Sequence, residues 1–190
     1  VVNKDYKLER LGDEPGARHT AARTFCLGVI KEFYGFDYRP DWHGDLDSLE
    51  KPAAQCHFST VNRGAFWMAT EPNGSIAASA GIKRLSWHPN VLESLPGRYP
   101  RPEVVATLMR AYVRKDLRGG GIGRMLSNVC EREARRLGYE TMYLHASADA
   151  VATIAFWTAR GYTPIGAFGF SMHFDKSLRQ ERPSSLLAPI

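Results

Sequence analysis

The sequence has few cysteines and no long apolar run, and each scarcity excludes a class of protein. Its three cysteines, Cys26, Cys56 and Cys130, are odd in number and far apart, which argues against a disulfide framework and against a zinc site with paired ligands. No window approaches the roughly 18 apolar residues that a membrane-spanning helix needs. The opening "VVNKDYKLERLG" lacks the apolar core of a signal peptide. We therefore expect a cytoplasmic protein that binds no metal and no membrane.

Internal repeats and low-complexity tracts are also lacking, and 190 residues suit one buried core, so we expect a single domain over residues 1–190. The net charge is +5, but its location says more than its sum. Residues 114–136 hold seven Lys and Arg against three Asp and Glu, and these lie beside a cluster of glycines. This concentration favours a local anionic ligand over nucleic acid, which ranks last among the alternatives.

Hydrophobic periodicity predicts the elements of the first half of the chain. A strand is expected over residues 5–11, and helical periodicity runs over 15–36, with Gly28 marking a break between two helices. Asn73-Gly74 predicts a β-hairpin. Residues 87–102 are rich in proline, and we expect either a functional lid or a poorly ordered loop there.

The second half alternates strands with helices. "EVVATLMRAYV" predicts a buried strand, and an amphipathic helix follows from Ile122 to a stop at Gly138. A strand, a short helix and one or two closing strands come next, whereas residues 177–190 form a tail without a strong pattern. This order predicts an α/β domain with a mixed sheet.

A glycine-rich turn joins the predicted buried strand to the amphipathic helix. The first turn of a helix exposes unpaired N–H groups and the positive end of the helix dipole, and glycines there remove the Cβ atoms that would block an anion. The candidate anion-binding residues are Arg118, Gly119, Gly120, Gly121, Ile122, Gly123 and Arg124. A Walker loop is excluded because Gly123 is followed by Arg124-Met125, and Arg124 also occupies the third glycine position of a dinucleotide fingerprint.

The turn resembles the acetyl-CoA loop of the GNAT superfamily of N-acyltransferases. The family pattern Arg/Gln-x-x-Gly-x-Gly/Ala is met by Arg118, Gly121 and Gly123. Downstream, "AFWTARGYTPIG" is similar to the family's aromatic-x-x-x-Gly-aromatic signature. The resemblance is specific over residues 103–166 and implies the GNAT fold, a mixed and mostly antiparallel central sheet flanked by helices.

The resemblance implies that acetyl-CoA is the acyl donor. The amides of the turn would bind the pyrophosphate. A bulge in the fourth strand near Tyr112 and Val113 would free main-chain groups to hold the pantetheine arm and to polarise the thioester. Trp157 stands where many members place a tyrosine acid, and it is either a core aromatic or a wall of the CoA site.

Acyl transfer to an amine requires a neutral nitrogen, so a group must accept the amine proton. The glutamate that many relatives use corresponds here to Thr107, which cannot accept a proton. Three candidates remain. Glu103 would share the strand of Thr107 and act through water, His145 lies on the next strand, and His88 lies in the proline-rich segment.

The segment after the first helix lines the acceptor site in this family, and here it mixes aromatic with acidic residues. Tyr34, Tyr38, Trp42 and Asp45, together with His88, are the candidate acceptor-binding residues, because carboxylates and aromatic faces attract ammonium groups. The prediction is acetyl transfer by direct attack of a small-molecule primary amine, such as an amino acid, a polyamine or an aminated antibiotic. A peptide amine, a CoA-binding module without turnover, and a homodimeric state stay open.

Overall fold

The computed structural model describes residues 5–179, which form a seven-stranded sheet with helices on both faces. The strands are β1 (Lys7–Arg10), β2 (Ala65–Thr70), β3 (Ile76–Arg84), β4 (Val105–Val113), β5 (Thr141–Ser147), β6 (Thr163–Phe168) and β7 (Ser171–Ser177). The helices are α1 (Ala17–Tyr34), α2 (Pro40–Asp47), α3 (Pro89–Ser94), α4 (Ile122–Arg136) and α5 (Val151–Ala159). Within these residues the strand order is β1-β2-β3-β4-β5-β7-β6, and only β4 and β5 pair in parallel. The expected mixed, mostly antiparallel sheet is confirmed.

Helix α4 packs on one face of the sheet, as its amphipathic pattern predicts. Its buried side chains Leu126 and Cys130 meet alternate residues of the central strands, among them Ile82, Leu108 and Leu144. Successive side chains of a strand point to opposite faces, so this alternation assigns the other residues of the same strands to the opposite face.

Helices α1 and α2 cover the opposite face, where Cys26, Leu46 and Phe66 share a second core cluster. The prediction that Gly28 separates two helices is wrong, because α1 runs without a break over 18 residues. A glycine inside a helix costs only about 1 kcal/mol relative to alanine. The burial of the residues around it outweighs that cost, and the helix ends instead at Gly35, whose φ is +71°.

The proline-rich segment is folded onto this second face. It contains α3, and Leu85, Val91 and Leu95 pack against Val105 and Tyr143 in a third cluster. The poorly ordered loop is therefore ruled out. Proline has no N–H and a fixed φ, which suits the first helical position, and Pro89 begins α3 in this way.

The hairpin predicted at Asn73-Gly74 is confirmed by the antiparallel pairing of β2 with β3. The first strand and the two closing strands are also present as β1, β6 and β7. Most of the tail predicted over 177–190 lies outside the described residues.

Candidate active site

A cleft opens in the sheet between β4 and β5. These strands pair from Val105 with Thr141 to Thr107 with Tyr143 and no further, whereas β5 stays paired with β7 along its whole length and β4 stays paired with β3 to Val113. From Leu108 onward, one edge of β4 has no neighbouring strand within the described residues. The backbone groups on this edge are available to a ligand.

A β-bulge lies on the same stretch of β4. Ser79 pairs with Tyr112 and Gly81 with Met109, so Arg110 and Ala111 together oppose Ala80. The backbone of Arg110 is left-handed, with a φ of +52°, and its carbonyl accepts a hydrogen bond of 2.8 Å from the Ser79 hydroxyl. The fourth strand thus has a bulge, placed just before Tyr112 and Val113.

The side chain at the bulge forms a buried ion pair. Arg110 Nε donates to Asp45 Oδ2 at 2.8 Å, and Arg110 Nη2 donates both to Asp45 Oδ1 and to the Trp42 carbonyl. The two side chains are 10% and 5% exposed. Burial opposes ionisation of Asp45, but the hydrogen bonds and the charge of Arg110 hold the pKa of this carboxyl below its ordinary value. Asp45 is predicted to attract an ammonium group, but its negative charge is already balanced by Arg110 within the protein.

The glycine turn leads directly into α4 and is open to solvent. Gly121 is the N-cap with a φ of +85°, and no side chain caps the helix there. A Cβ atom on Gly119 or Gly121 would meet nothing within 4 Å. Gly123 differs, since its Cβ would lie 3.5 Å from Phe156 Cζ and 3.6 Å from a methyl group of Val113. The turn thus presents bare N–H groups at the point where β4 and α5 approach it.

The arginines of the turn have different roles in this structure. Arg124 is exposed on the first turn of α4. The Arg118 guanidinium lies 4.3 Å from the centre of the Phe33 ring, and its Nε donates to the Val113 carbonyl at 3.1 Å. Ile122, by contrast, is buried in the core. Arg118 therefore links the turn to the free edge of β4 and to the end of α1.

Histidines that are far apart in the sequence meet on the β5 side of the cleft. The rings of His88 and His145 are 6.1 Å apart, and His145 pairs across the strands with His173. The Tyr143 hydroxyl lies 2.7 Å from Nδ1 of His173 and 3.4 Å from Nδ1 of His145. His145 is open to solvent although protein surrounds much of its ring; loss of solvation and the neighbouring His173 lower its pKa. Burial and the charge of Lys83 lower the pKa of His88 to about 3. Both imidazoles are neutral at pH 7.

Glu103 is not on β4, and the prediction that it shares that strand is wrong. It belongs to a 3₁₀ turn, Pro102–Val104, that precedes the strand; its side chain is exposed and forms an ion pair with Arg101. Proline at the first position of this turn starts it before the strand begins. The glutamate is thus at the far end of β4 from the bulge.

The aromatic candidates are divided between core and surface. Trp157 is 6% exposed and packs edge-on against Phe156 and Tyr162, whereas Phe156 is the ring that faces Gly123. Sequence reasoning missed Phe156, although its place beside Trp157 on a helix that follows the cleft was a usable signal. A contact between Trp157 and CoA stays a prediction.

The acceptor-site candidates of α1 and α2 are largely exposed. Tyr34, Tyr38 and Trp42 are 46%, 41% and 56% exposed. The Tyr38 hydroxyl donates to Asp47 at 2.5 Å, and the Arg39 guanidinium lies 4.6 Å from the Trp42 ring. Since Arg110 binds the Trp42 carbonyl, α2 is held at the bulge.

Sequence reasoning also missed Lys83, a buried lysine on β3. It is 3% exposed, and its ammonium group has no hydrogen bond or ion pair to any residue between 5 and 179. Burial lowers its pKa to about 8. Lys83 stands directly opposite Thr107, whose buried hydroxyl also lacks a partner within that range. Two successive cations at the end of a strand, here Lys83 and Arg84, are typical of a solvent-exposed strand end. The sequence pattern therefore gave no signal that the lysine is buried.

Comparisons with known proteins agree with this geometry. Residues 29–162 match the model of the Acetyltransferase (GNAT) family. No curated protein matches the sequence. A GNAT-family acetyltransferase from Staphylococcus aureus Mu50 aligns with a TM-score of 0.68 and 16% identity over 91% of this chain and 100% of its own. YncA from Salmonella typhimurium, solved with its cofactor acetyl-CoA, gives 0.64 and 15% over 95% and 98%. The PaiA N-acetyltransferase of Thermoplasma acidophilum, in complex with coenzyme A, aligns with a TM-score of 0.63 and 12% identity over 91% of this chain and 99% of its own.

Two kinds of feature are absent from residues 5–179. No group of three or more His, Cys, Asp or Glu side chains there is arranged to hold a metal ion. No helix in this range is both long and apolar enough to cross a membrane.

Proposed function

The chain belongs to the GNAT family of acetyltransferases, and from this premise we propose that it transfers the acetyl group of acetyl-CoA to the primary amine of a small molecule. The observation that carries the proposal is the meeting of an open, uncapped helix N-terminus with the free, bulged edge of β4. The first feature suits a pyrophosphate and the second suits an extended amide-containing chain, so together they fit the two parts of CoA.

In this proposal the turn and the strand hold the donor. The N–H groups of residues 119–124 would bind the pyrophosphate, with charge from Arg118 and Arg124. Backbone groups of Tyr112 and Val113 would bind the pantetheine arm, which requires Arg118 to release the Val113 carbonyl. The missing Cβ atoms at Gly119 and Gly121 leave the space that this binding needs.

The cleft histidines supply the proton acceptor. The amine nitrogen attacks the thioester carbonyl carbon, the C–S bond breaks, and the proton of the amine passes to His145, directly or through water. Tyr143 and His173 orient the His145 ring through the hydrogen-bonded group described above. Thiols ionise near pH 8.5, so the thiolate of CoA is a tolerable leaving group, and Trp157 in place of a tyrosine does not prevent turnover.

The test measures thiol release from acetyl-CoA with a panel of amines, together with calorimetry of acetyl-CoA binding. His145→Gln should lower kcat by about 10²-fold or more and leave the Kd for acetyl-CoA unchanged, because it removes a proton acceptor and no donor contact. His88→Gln is the matched control from the same cleft, and a loss confined to that variant would move the role to His88.

Other results would change the function itself. Faster turnover of lysine-rich peptides than of small amines would make the protein a peptide acetyltransferase. Binding of CoA with no thiol release from any amine in the panel would identify a CoA-binding module.

A further inference from the structure

Two residues whose polar groups have no partner within residues 5–179 lie side by side on the face of the sheet covered by α2 and α3. Lys83 and Thr107 are direct cross-strand neighbours, and Thr107 is in turn the neighbour of Tyr143 on β5. Residues opposite each other in a sheet project to the same face with Cβ atoms about 5 Å apart. The Lys83 and Thr107 side chains therefore leave the sheet side by side. Both residues are buried, and neither the lysine ammonium nor the threonine hydroxyl has a hydrogen-bond partner within residues 5–179.

The charged groups around Lys83 do not balance its positive charge. Asp45 is the acidic group that influences it, but this carboxylate is shared with Arg110 through two hydrogen bonds. His57, His88 and His145 also feel the charge of Lys83. Burial lowers the pKa of each, so these imidazoles are neutral at pH 7. Together, Lys83, Arg110 and Asp45 carry a net positive charge, and the donors of the two cations exceed what the one carboxylate can accept.

An unpaired ammonium group in such surroundings is costly, which makes a bound anion its natural complement. A carboxylate matches both neighbours, because it can accept one hydrogen bond from Lys83 and a second from Thr107.

We propose that Lys83 and Thr107 bind the carboxylate of the acceptor, so that the acceptor is an amino acid. This rests on the proposed function and narrows its substrate class. The acceptor carboxylate is held on β3 and β4 while its amine reaches the side of the cleft that holds His145. An acceptor of this kind needs no free carboxylate on α2, which agrees with the commitment of Asp45 to Arg110.

The first experiment compares amino acids with amines that lack only the carboxylate. The pairs are phenylalanine with 2-phenylethylamine, lysine with cadaverine, and β-alanine with ethylamine. For wild-type protein, at least one acid should exceed its paired amine at least tenfold in kcat/KM. Lys83→Met should remove this preference by lowering kcat/KM for the acid and leaving the paired amine within about twofold, and Thr107→Val should reduce the preference in part.

A lysine that serves the chemistry or the fold would behave differently. In that case Lys83→Met would lower the rates of acid and amine equally, and the proposal would be wrong. It would also be wrong if the wild-type protein showed no preference for the acids. Lys7→Met is the matched control, because Lys7 is an exposed lysine on β1 at the far edge of the sheet.

A binding measurement separates this proposal from the proposed function. Protein saturated with CoA is titrated with the same pairs in a calorimeter, so that no turnover is needed. Selective binding of an acid, lost in Lys83→Met, supports the carboxylate site even if no acetyl transfer occurs. Absence of binding by every acid, in protein that binds CoA, overturns it.

Discussion

At the scale of the residue, Lys83 has an energetic consequence that does not depend on any substrate. Burial lowers the pKa of this lysine from 10.5 to about 8. The folded protein therefore binds fewer protons than the unfolded chain between these pH values, and its stability rises with pH across that window. Below pH 8 the protein carries the full free-energy cost of burying the charged ammonium group.

We expect Lys83→Met to raise the free energy of unfolding by about 3 kcal/mol at pH 7, because methionine fills similar space without a charge. The gain should shrink as the pH rises from 8 to 10.5, where the unfolded lysine also loses its proton. Urea denaturation at a series of pH values measures this. Equal stability of both proteins at pH 7 would mean that the ammonium group is solvated or partnered.

Gly123 allows a test of the glycine turn that leaves the fold intact. A methyl group there would contact Phe156 and Val113 at ordinary distances, and its φ is not in the left-handed region. We expect Gly123→Ala to keep the melting temperature near that of the wild type and to weaken acetyl-CoA binding at least tenfold in calorimetry, since the methyl group occupies the space between the turn, β4 and α5.

Gly121→Ala is the contrasting variant, because its φ of +85° makes a side chain unfavourable by about 1–2 kcal/mol even without ligand. Unchanged binding in a folded Gly123→Ala protein would argue against donor binding at the turn.

The glycine turn and the role of the cleft histidines differ in how far the sequence predicts them. The turn is local, so the order of its residues specifies an anion site before any folding is known. The meeting of His88 with His145, and of Lys83 with Thr107, depends on strand register and on how α3 packs. Periodicity shows which residues share a face of their own strand, but it does not show which residue of another strand lies beside them.

At the scale of the element, Gly28 lies inside α1 and Gly35 follows its last residue, and the backbone requires a glycine at only one of these two positions. Both have open space where a Cβ would stand, but Gly35 has a φ of +71° and Gly28 lies inside the helix. We expect Gly28→Ala to stabilise the protein by about 0.5–1 kcal/mol through the lower entropy of the unfolded chain. Gly35→Ala should destabilise it by about 1 kcal/mol or more.

Thermal and urea denaturation of the two variants make the comparison. A loss of stability in Gly28→Ala would indicate a close contact at that position on α1.

The bulge of β4 shows what element prediction lacks. The apolar run predicted the strand, and the family resemblance predicted an irregularity in it. The left-handed backbone at Arg110 is instead held by partners from other elements, namely Ser79 on β3 and Asp45 on α2. Such a conformation is unfavourable for an arginine by itself and persists because tertiary contacts stabilise it.

At the scale of the whole molecule, the alternation of strands and helices was enough to predict an α/β fold with a mixed sheet. The position of β7 between β5 and β6 was not predictable, because the two closing strands have no pattern that says which one meets β5. This order matters to function, since it brings His173 beside His145 and Tyr143.

The whole molecule should be stabilised by its donor, because a ligand that binds only the folded state shifts the unfolding equilibrium. At 100 times its Kd, acetyl-CoA should add about 2.7 kcal/mol, which corresponds to a rise of about 5–11 °C in melting temperature for a domain of this size. The rise should increase with the logarithm of ligand concentration and should be much smaller in Gly123→Ala. Duplex DNA serves as the control polyanion. If DNA raised the melting temperature in a salt-sensitive manner and acetyl-CoA did not, the basic charge around α4 would be a nucleic-acid site and the glycine turn would have another role.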